Sequence, residues 1–232
     1  MMKLNGNTVN MEGNPVSLED LDDLLGEQHT GTSFDTPLRK DAFDLNDEEK
    51  IKLITYHFRE IMNALGLDLS DDSLRGTPKR VAKMYVKEIF GGLNPENRPE
   101  IRLFDNRYRY HQMIVEKNIT LYSVCEHHFV PIIGKAHIAY FSSGKVIGLS
   151  KLNRIVQYWA QRPQVQERLT IQIANELKTV LETEDIAVVI DSVHLCVSSR
   201  GIKDTGSSTV TAEYSGKFSE ESYKSEFLKF IL

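Results

Sequence analysis

The stretch VPIIGKAHIAYF, residues 130–141, decides the fold class. Apolar and β-branched residues dominate it and a Ser142-Ser143-Gly144 turn closes it, which predicts a strand. Another strand-like stretch precedes it at residues 112–123. Beyond the turn the pattern becomes two helices, at about 151–161 and 164–182, then strands at 186–197 and 208–214, then a terminal helix at 220–230. Upstream, Ile51, Ile54, His57, Phe58, Ile61, Met62 and Leu65 recur at helical spacing and stop at Gly66, a C-cap residue. A further helix is predicted from Thr77-Pro78 through Val81, Met84, Tyr85 and Ile89 to Gly91-Gly92. The order predicts an α+β domain with helices packed on one face of an antiparallel sheet. Residues 1–46 read as a flexible arm, with a short helix around Leu21, Leu24 and Leu25, residues 47–98 as a helical region and 99–232 as the main domain.

A chain of 232 residues can bury a substantial core, and 41% hydrophobic against 26% charged residues is the balance of a globular protein. The formal net charge of −5 argues against general adhesion to nucleic acid or anionic membrane. No apolar run suits a transmembrane helix, and the first residues lack the apolar core of a secretory signal, so the expected compartment is the cytoplasm.

The two cysteines, Cys125 and Cys196, each lie beside histidine: Cys125-Glu126-His127-His128 and His194-Leu195-Cys196. Two thiolates and an imidazole suit zinc, and three protein ligands leave the fourth tetrahedral position open for catalysis. A disulfide, or two inert buried thiols, is the competing reading. Strand alternation sets Cys125 and His127 on one face and His128 on the other, while a turn would reverse this, so spacing leaves the ligating imidazole undecided. In a continuing strand His194 and Cys196 share a face, with Val193, Leu195 and Val197 packed on the other, which puts a histidine suited to proton transfer near the metal.

In Gly148-Leu149-Ser150-Lys151-Leu152-Asn153-Arg154 the apolar stripe Leu152, Ile155, Val156 and Trp159 makes a helix with Ser150 as its predicted N-cap. Lys151 and Arg154 project from its first turn, so the helix start suits phosphate, or is simply a capped helix with solvated charges. Arg200, just beyond Cys196, suits bidentate phosphate binding. Arg80 alone reads as a surface arginine. Glu167 follows Pro163, which suits a first helical turn; its carboxylate matches the paired donors of guanine, or forms a surface pair with Arg168.

Together SVCEHHF (residues 123–129), GLSKLNR (148–154), QRPQVQERL (161–169) and HLCV (194–197) closely resemble GTP cyclohydrolase I, and order and character match from about Asp47 onward. The resemblance implies Zn2+ held by Cys125, His128 and Cys196, with His127 as a catalytic group on the substrate side and His194 as general acid/base. It implies Glu167 and Gln166 as guanine readers, Ser150 at the ribose and phosphate region, Lys151, Arg154 and Arg200 on the triphosphate, and Arg80 contributed by a neighbouring subunit. The implied reaction converts GTP and water to 7,8-dihydroneopterin triphosphate and formate, with activated water attacking carbon 8 of the purine while His194 protonates the adjacent ring nitrogen. The implied fold is the tunnelling fold, whose subunits join their sheets into a barrel, two rings making a homodecamer. A non-catalytic zinc or nucleotide-binding module of the same fold, and a related pterin or deazapurine enzyme, are the other readings; a purely structural metal site needs neither His194 nor Glu167.

Overall fold

The computed structural model describes residues 31–232 and two short strands before them, β1 (Met2–Leu4) and β2 (Asn7–Val9). The expected helix around Leu21, Leu24 and Leu25 lies outside the described residues. The chain divides into two compact units, Met1–Phe34 and Asp35–Leu232. In the first, β1 and β2 pair antiparallel, Met2 opposite Val9.

The second unit opens with α1 (Asp47–Ala64), where the sequence places a helix. Asn46 caps it reciprocally: its side chain accepts from the Glu49 amide at 3.0 Å and the Glu49 carboxylate accepts from the Asn46 amide at 2.9 Å. The predicted stop at Gly66 is observed, with φ +75° and amides turned back onto Asn63 and Met62. Helix α2 (Thr77–Met84) starts at the predicted residue, but its continuation Tyr85–Ile89 widens into a π turn that ends on Phe90, short of Gly91-Gly92.

The remaining elements are β3 (Leu103–Asp105), β4 (Ile114–Cys125), β5 (Pro131–Tyr140), β6 (Lys145–Ile147), α3 (Leu149–Ala160), β7 (Pro163–Gln164), α4 (Gln166–Leu181), β8 (Ile186–His194), the single turn α5 (Leu195–Ser198), β9 (Thr209–Tyr214) and α6 (Glu221–Ile231). The main sheet runs β7-β4-β5-β8-β9. It is antiparallel except at β7, which pairs parallel to the end of β4 through Val124–Pro163 and Cys125–Gln164. Strands β3 and β6 form a separate antiparallel pair.

Helices α3 and α4 cover one face. Leu152, Ile155 and Val156 of α3 and Leu169, Ile173, Leu177 and Leu181 of α4 are buried against Leu121, Ile132, Ile138, Val188 and Ile190 of the sheet. Each such side chain stabilises the fold by roughly 1.5–3 kcal/mol, so this layer fixes the helices to the sheet. The opposite face is partly covered as well: Phe218 and Phe227, the latter on α6, pack with Phe141, Ala187 and Val189. The sequence shows α6 as a helix but not which face it covers, because its partners are remote in the chain.

Candidate active site

Three amides shape the turn between β4 and β5. Cys125 N–H donates to Val130 O and Phe129 N–H to Cys125 O, both at 2.9 Å, and Phe129 takes the left-handed φ of +52°. The turn reverses strand alternation and gathers Cys125 with His128. Glu126 N–H meanwhile donates to Gln164 O at 3.0 Å, which fastens the turn to β7, and Val130 leads straight into β5.

The other half comes from the end of β8. The expected strand through residue 197 stops at His194, and Cys196 sits in the turn α5. Face assignment is also corrected. His194 continues the face of Ile186, Val188 and Ile190 under α4, whereas Val193, expected to pack, is 36% exposed on the opposite face. Beyond the last β5 partner, where Ile132 pairs with His194, no neighbouring strand holds the chain extended, so it coils.

The ligand atoms of Cys125, His128 and Cys196 lie within 4.8 Å of one another. Both cysteines are free, Cys125 buried and Cys196 half-buried, so the disulfide reading does not hold. Zinc–sulfur and zinc–nitrogen bonds of about 2.3 and 2.0 Å place tetrahedral ligands roughly 3.5–4 Å apart, a separation within the 4.8 Å that bounds this donor set. Burial pushes the Cys196 thiol pKa up and the neighbouring Cys125 sulfur pushes it further, while Arg200 opposes both. A dication at this point reverses that balance and favours both thiolates.

Arg200 Nη1 lies 2.9 Å from His128 Nε2. A guanidinium only donates, so His128 Nε2 is the acceptor in that contact. A neutral imidazole that gives one nitrogen to a metal carries a proton on the other, so metal ligation and the Arg200 contact exclude each other. His127 Nδ1 lies 3.6 Å from Cys125 Sγ, with its other nitrogen 4.0 Å from the Glu126 carboxylate.

His194 is held from behind. Its Nε2 is 2.7 Å from Gln166 Oε1, and Gln166 Nε2 donates to Ile190 O at 3.1 Å, Thr209 O at 2.8 Å and Thr211 Oγ1 at 3.1 Å. Those three acceptors fix the carboxamide, so its oxygen faces the imidazole and His194 Nε2 carries the proton. Nδ1 is left for exchange. Burial lowers the His194 pKa and the nearby Glu167 carboxylate opposes the shift. Glu167 is exposed on the first turn of α4.

Gln166, expected to read a base, is 2% exposed with its carboxamide engaged as described. The Ser150 cap is corrected. Gly148 occupies the N-cap with extended backbone, and Ser150 is exposed inside the first turn beside Lys151 and near Arg154. The strand β6 delivers the chain directly into Leu149, which moves the helix start forward. Pro163, expected in a helical first turn, lies in β7, and α4 begins at Gln166. Arg80 donates to Ser73 O and Thr77 Oγ1, each at 2.9 Å, within its own stretch of chain.

Arg168 was missed as a site residue. Rather than a surface partner of Glu167, it is a buried guanidinium that pairs with Glu126. No local signal marks it, because Gln164 lies in β7 rather than on the helix and Glu126 belongs to another segment.

A family model described as GTP cyclohydrolase I matches residues 54–232. The chain belongs to the GTP cyclohydrolase I family. It is 61% identical over 216 residues to GTP cyclohydrolase 1 of Flavobacterium johnsoniae, covering 93% of this chain and 97% of the relative. It is 53% identical to the protein of that name from Salmonella arizonae and 50% identical to that from Citrobacter koseri, each over 209 residues, 90% of this chain and 94% of the relative. The GTP cyclohydrolase I relationship thus spans most of the helical region and the whole main sheet, and the chain is an enzyme, a hydrolase. Among the described residues no helix is long and apolar enough to cross a membrane.

Proposed function

We propose that this chain is a zinc-dependent GTP cyclohydrolase I that converts GTP and water to 7,8-dihydroneopterin triphosphate and formate. The observation that carries the reading is the convergence of Cys125, His128 and Cys196 beside a histidine whose Nε2 is fixed by Gln166. A structural metal site has no use for that second, oriented imidazole.

Zinc, when bound by these three residues, supplies Lewis acidity that makes water nucleophilic near neutral pH. His194 moves protons at Nδ1, first to the purine ring nitrogen next to carbon 8 as the imidazole ring opens. Donation from Nδ1 starts from the doubly protonated ring, whose pKa burial lowers while Glu167 opposes the shift. The neutral ring that remains keeps its Nε2 proton on Gln166 and can take a proton back at Nδ1. His127, exposed beside Cys125, faces substrate. Glu167 accepts the two parallel donors of guanine, and an adenine there would leave the carboxylate unpaired. Gln166 acts through His194 rather than on the base. Ser150 contacts the ribose and phosphate region, and Lys151 and Arg154 at the α3 start hold triphosphate together with Arg200.

The same reading assembles the subunits into a homodecamer with joined sheets. In its favour, β9 is an edge strand with Val210 61% exposed, and Tyr122, Ile133 and Val193 form an exposed cross-strand row. Arg80 then reaches the triphosphate of a neighbouring subunit.

The test is incubation of purified protein with GTP, reading formate and, after oxidation, the fluorescent pterin. Turnover that disappears with a zinc chelator, returns with zinc, and is lost in His194→Ala with zinc still bound is the expected result. Zinc binding without turnover in the wild type points instead to a non-catalytic module.

A further inference from the structure

Helix α4 presents Glu167 to solvent and turns the next residue, Arg168, into the protein. The Arg168 side chain is only 4% exposed, and one nitrogen, Nη2, reaches both the Glu126 carboxylate and Pro163 O, the latter at 2.9 Å. Its Nε donates to Gln164 Oε1 at 3.0 Å. Gln164 is itself completely buried, with Nε2 on Trp159 O at 2.8 Å and on Gln172 Oε1 at 2.9 Å. Glu126 stands between the ligands Cys125 and His128, and its amide already rests on Gln164 O. One guanidinium therefore joins three segments that are remote in the chain: the ligand-bearing turn, β7, and the helix that carries Gln166 and Glu167.

We propose that Arg168 is a positioning residue of the active site, acting with Glu126 to fix the Cys125–His128 turn relative to Glu167 and His194. A planar fork is needed, because a carboxylate, a carbonyl and a carboxamide oxygen surround it in different directions and an ammonium has no such spread. Desolvation makes the pair sensitive: loss of either partner strands a buried charge beside the metal ligands. Outer contacts of this kind tune metal affinity by their hold on the first ligands, and their loss typically weakens it 10–100-fold. The proposal rests on the metal and substrate assignments above, but the hold on the turn is a property of the protein alone.

The experiment compares full-length wild type with Arg168→Lys, Glu126→Gln and the neutral double variant Glu126→Gln/Arg168→Gln. Zinc affinity is read by chelator competition, and kcat and KM by formate release from GTP. Amide hydrogen exchange over residues 125–129 is followed with zinc and after chelation. Each single variant is expected to bind zinc about 10–100-fold more weakly, to exchange faster across the turn with or without zinc, and to lose kcat more than KM. The double variant, with no stranded charge, recovers part of the zinc affinity. Arg168→Lys with a lowered melting temperature but wild-type zinc affinity, turn exchange and kcat would overturn the proposal and leave Arg168 a structural residue only. A wild type without zinc affinity sinks the metal assignment, while exchange in the chelated protein still decides whether the pair holds the turn.

Discussion

Replacement of Gln166 by leucine separates a residue that orients the catalytic histidine from one that reads a base. The two hydrogens of the carboxamide nitrogen are shared among Ile190 O, Thr209 O and Thr211 Oγ1, and its oxygen accepts from His194. Leucine fills a similar volume but offers no polar atom. At about 1 kcal/mol for each of the two donated bonds and the one accepted, the destabilisation is about 3 kcal/mol, a drop of about 6–12 °C in melting temperature for a chain of this size. Thr211 Oγ1 keeps a partner in Thr170 Oγ1 at 2.7 Å, which holds the figure from going higher. His194 loses the acceptor that sets its tautomer, so Nδ1 is no longer reserved for the substrate. The expected kinetic result is a kcat about 10–100-fold lower, part of the roughly 10²–10⁴-fold that a positioned acid/base contributes, with KM for GTP changed by less than about threefold. The assays are thermal unfolding followed by circular dichroism and steady-state formate release. A variant with normal melting temperature and kcat but a KM raised tenfold would refute the reasoning, since that pattern belongs to a side chain facing the guanine.

Other perturbations test the scaffold. A Cβ on Gly134 would lie 2.2 Å from Asp191 O and 2.3 Å from Ser192 Oγ, so Gly134→Ala must part β5 from β8; thermal unfolding should show a loss of about 1–3 kcal/mol, as for overpacked sites. Arg98→Ala strands Glu176, whose side chain is 6% exposed, and since Arg98 itself is 54% exposed and water can enter, urea unfolding should show a loss of about 2 kcal/mol. Burial lowers the His137 pKa below 6.5, and of the charged groups facing it Lys135 and Lys117 lower it while Asp191 raises it. The unfolded chain then takes the proton first, so stability is full above pH 6.5 and falls as pH drops through 6.5 toward the folded pKa; His137→Asn should shallow that slope in melts between pH 7.5 and 5.5.

Local rules made most elements legible. Helix α1 carries its apolar period, its cap and its stop in consecutive residues, and α2 begins at a proline suited to a first turn. The misreadings share a different cause. Pro163 looks like a helix start, yet it is recruited into the sheet by Val124, a partner the local sequence does not contain. Ser150 has the side chain of a cap, but the strand before it delivers the chain one residue pair too early. Cys196 reads as strand because its neighbours are apolar, while the ladder that would keep it extended ends at His194. The Cys125, His128 and Cys196 cluster was implied by resemblance to a family; spacing alone left His127 and His128 equivalent, and the turn closed by Val130 is what separates them. Arg168 was invisible for the same reason as β7: its partner Glu126 belongs to another segment.

The stretch that reveals the fold also measures out the site. Ile132 of β5 pairs with Ser123 on one side and with His194 on the other, so a single residue of the central strand sets the ends of both neighbours in register. Cys125, the last residue of β4, lies two positions beyond Ser123, and Cys196, in the turn α5, lies two beyond His194, so both sit at the same end of the sheet. Because side chains alternate, a slip of one residue in the β5–β8 ladder would turn His194 onto the face where Val193 now lies, away from Gln166. Register on this strand is pinned by Gly134, which alone admits the close approach of Asp191 and Ser192, and by Ile132, Ala136 and Ile138, which are buried under α3 and α4. The core that stabilises the subunit is therefore the same device that brings two thiols, an imidazole and an oriented acid/base to one point.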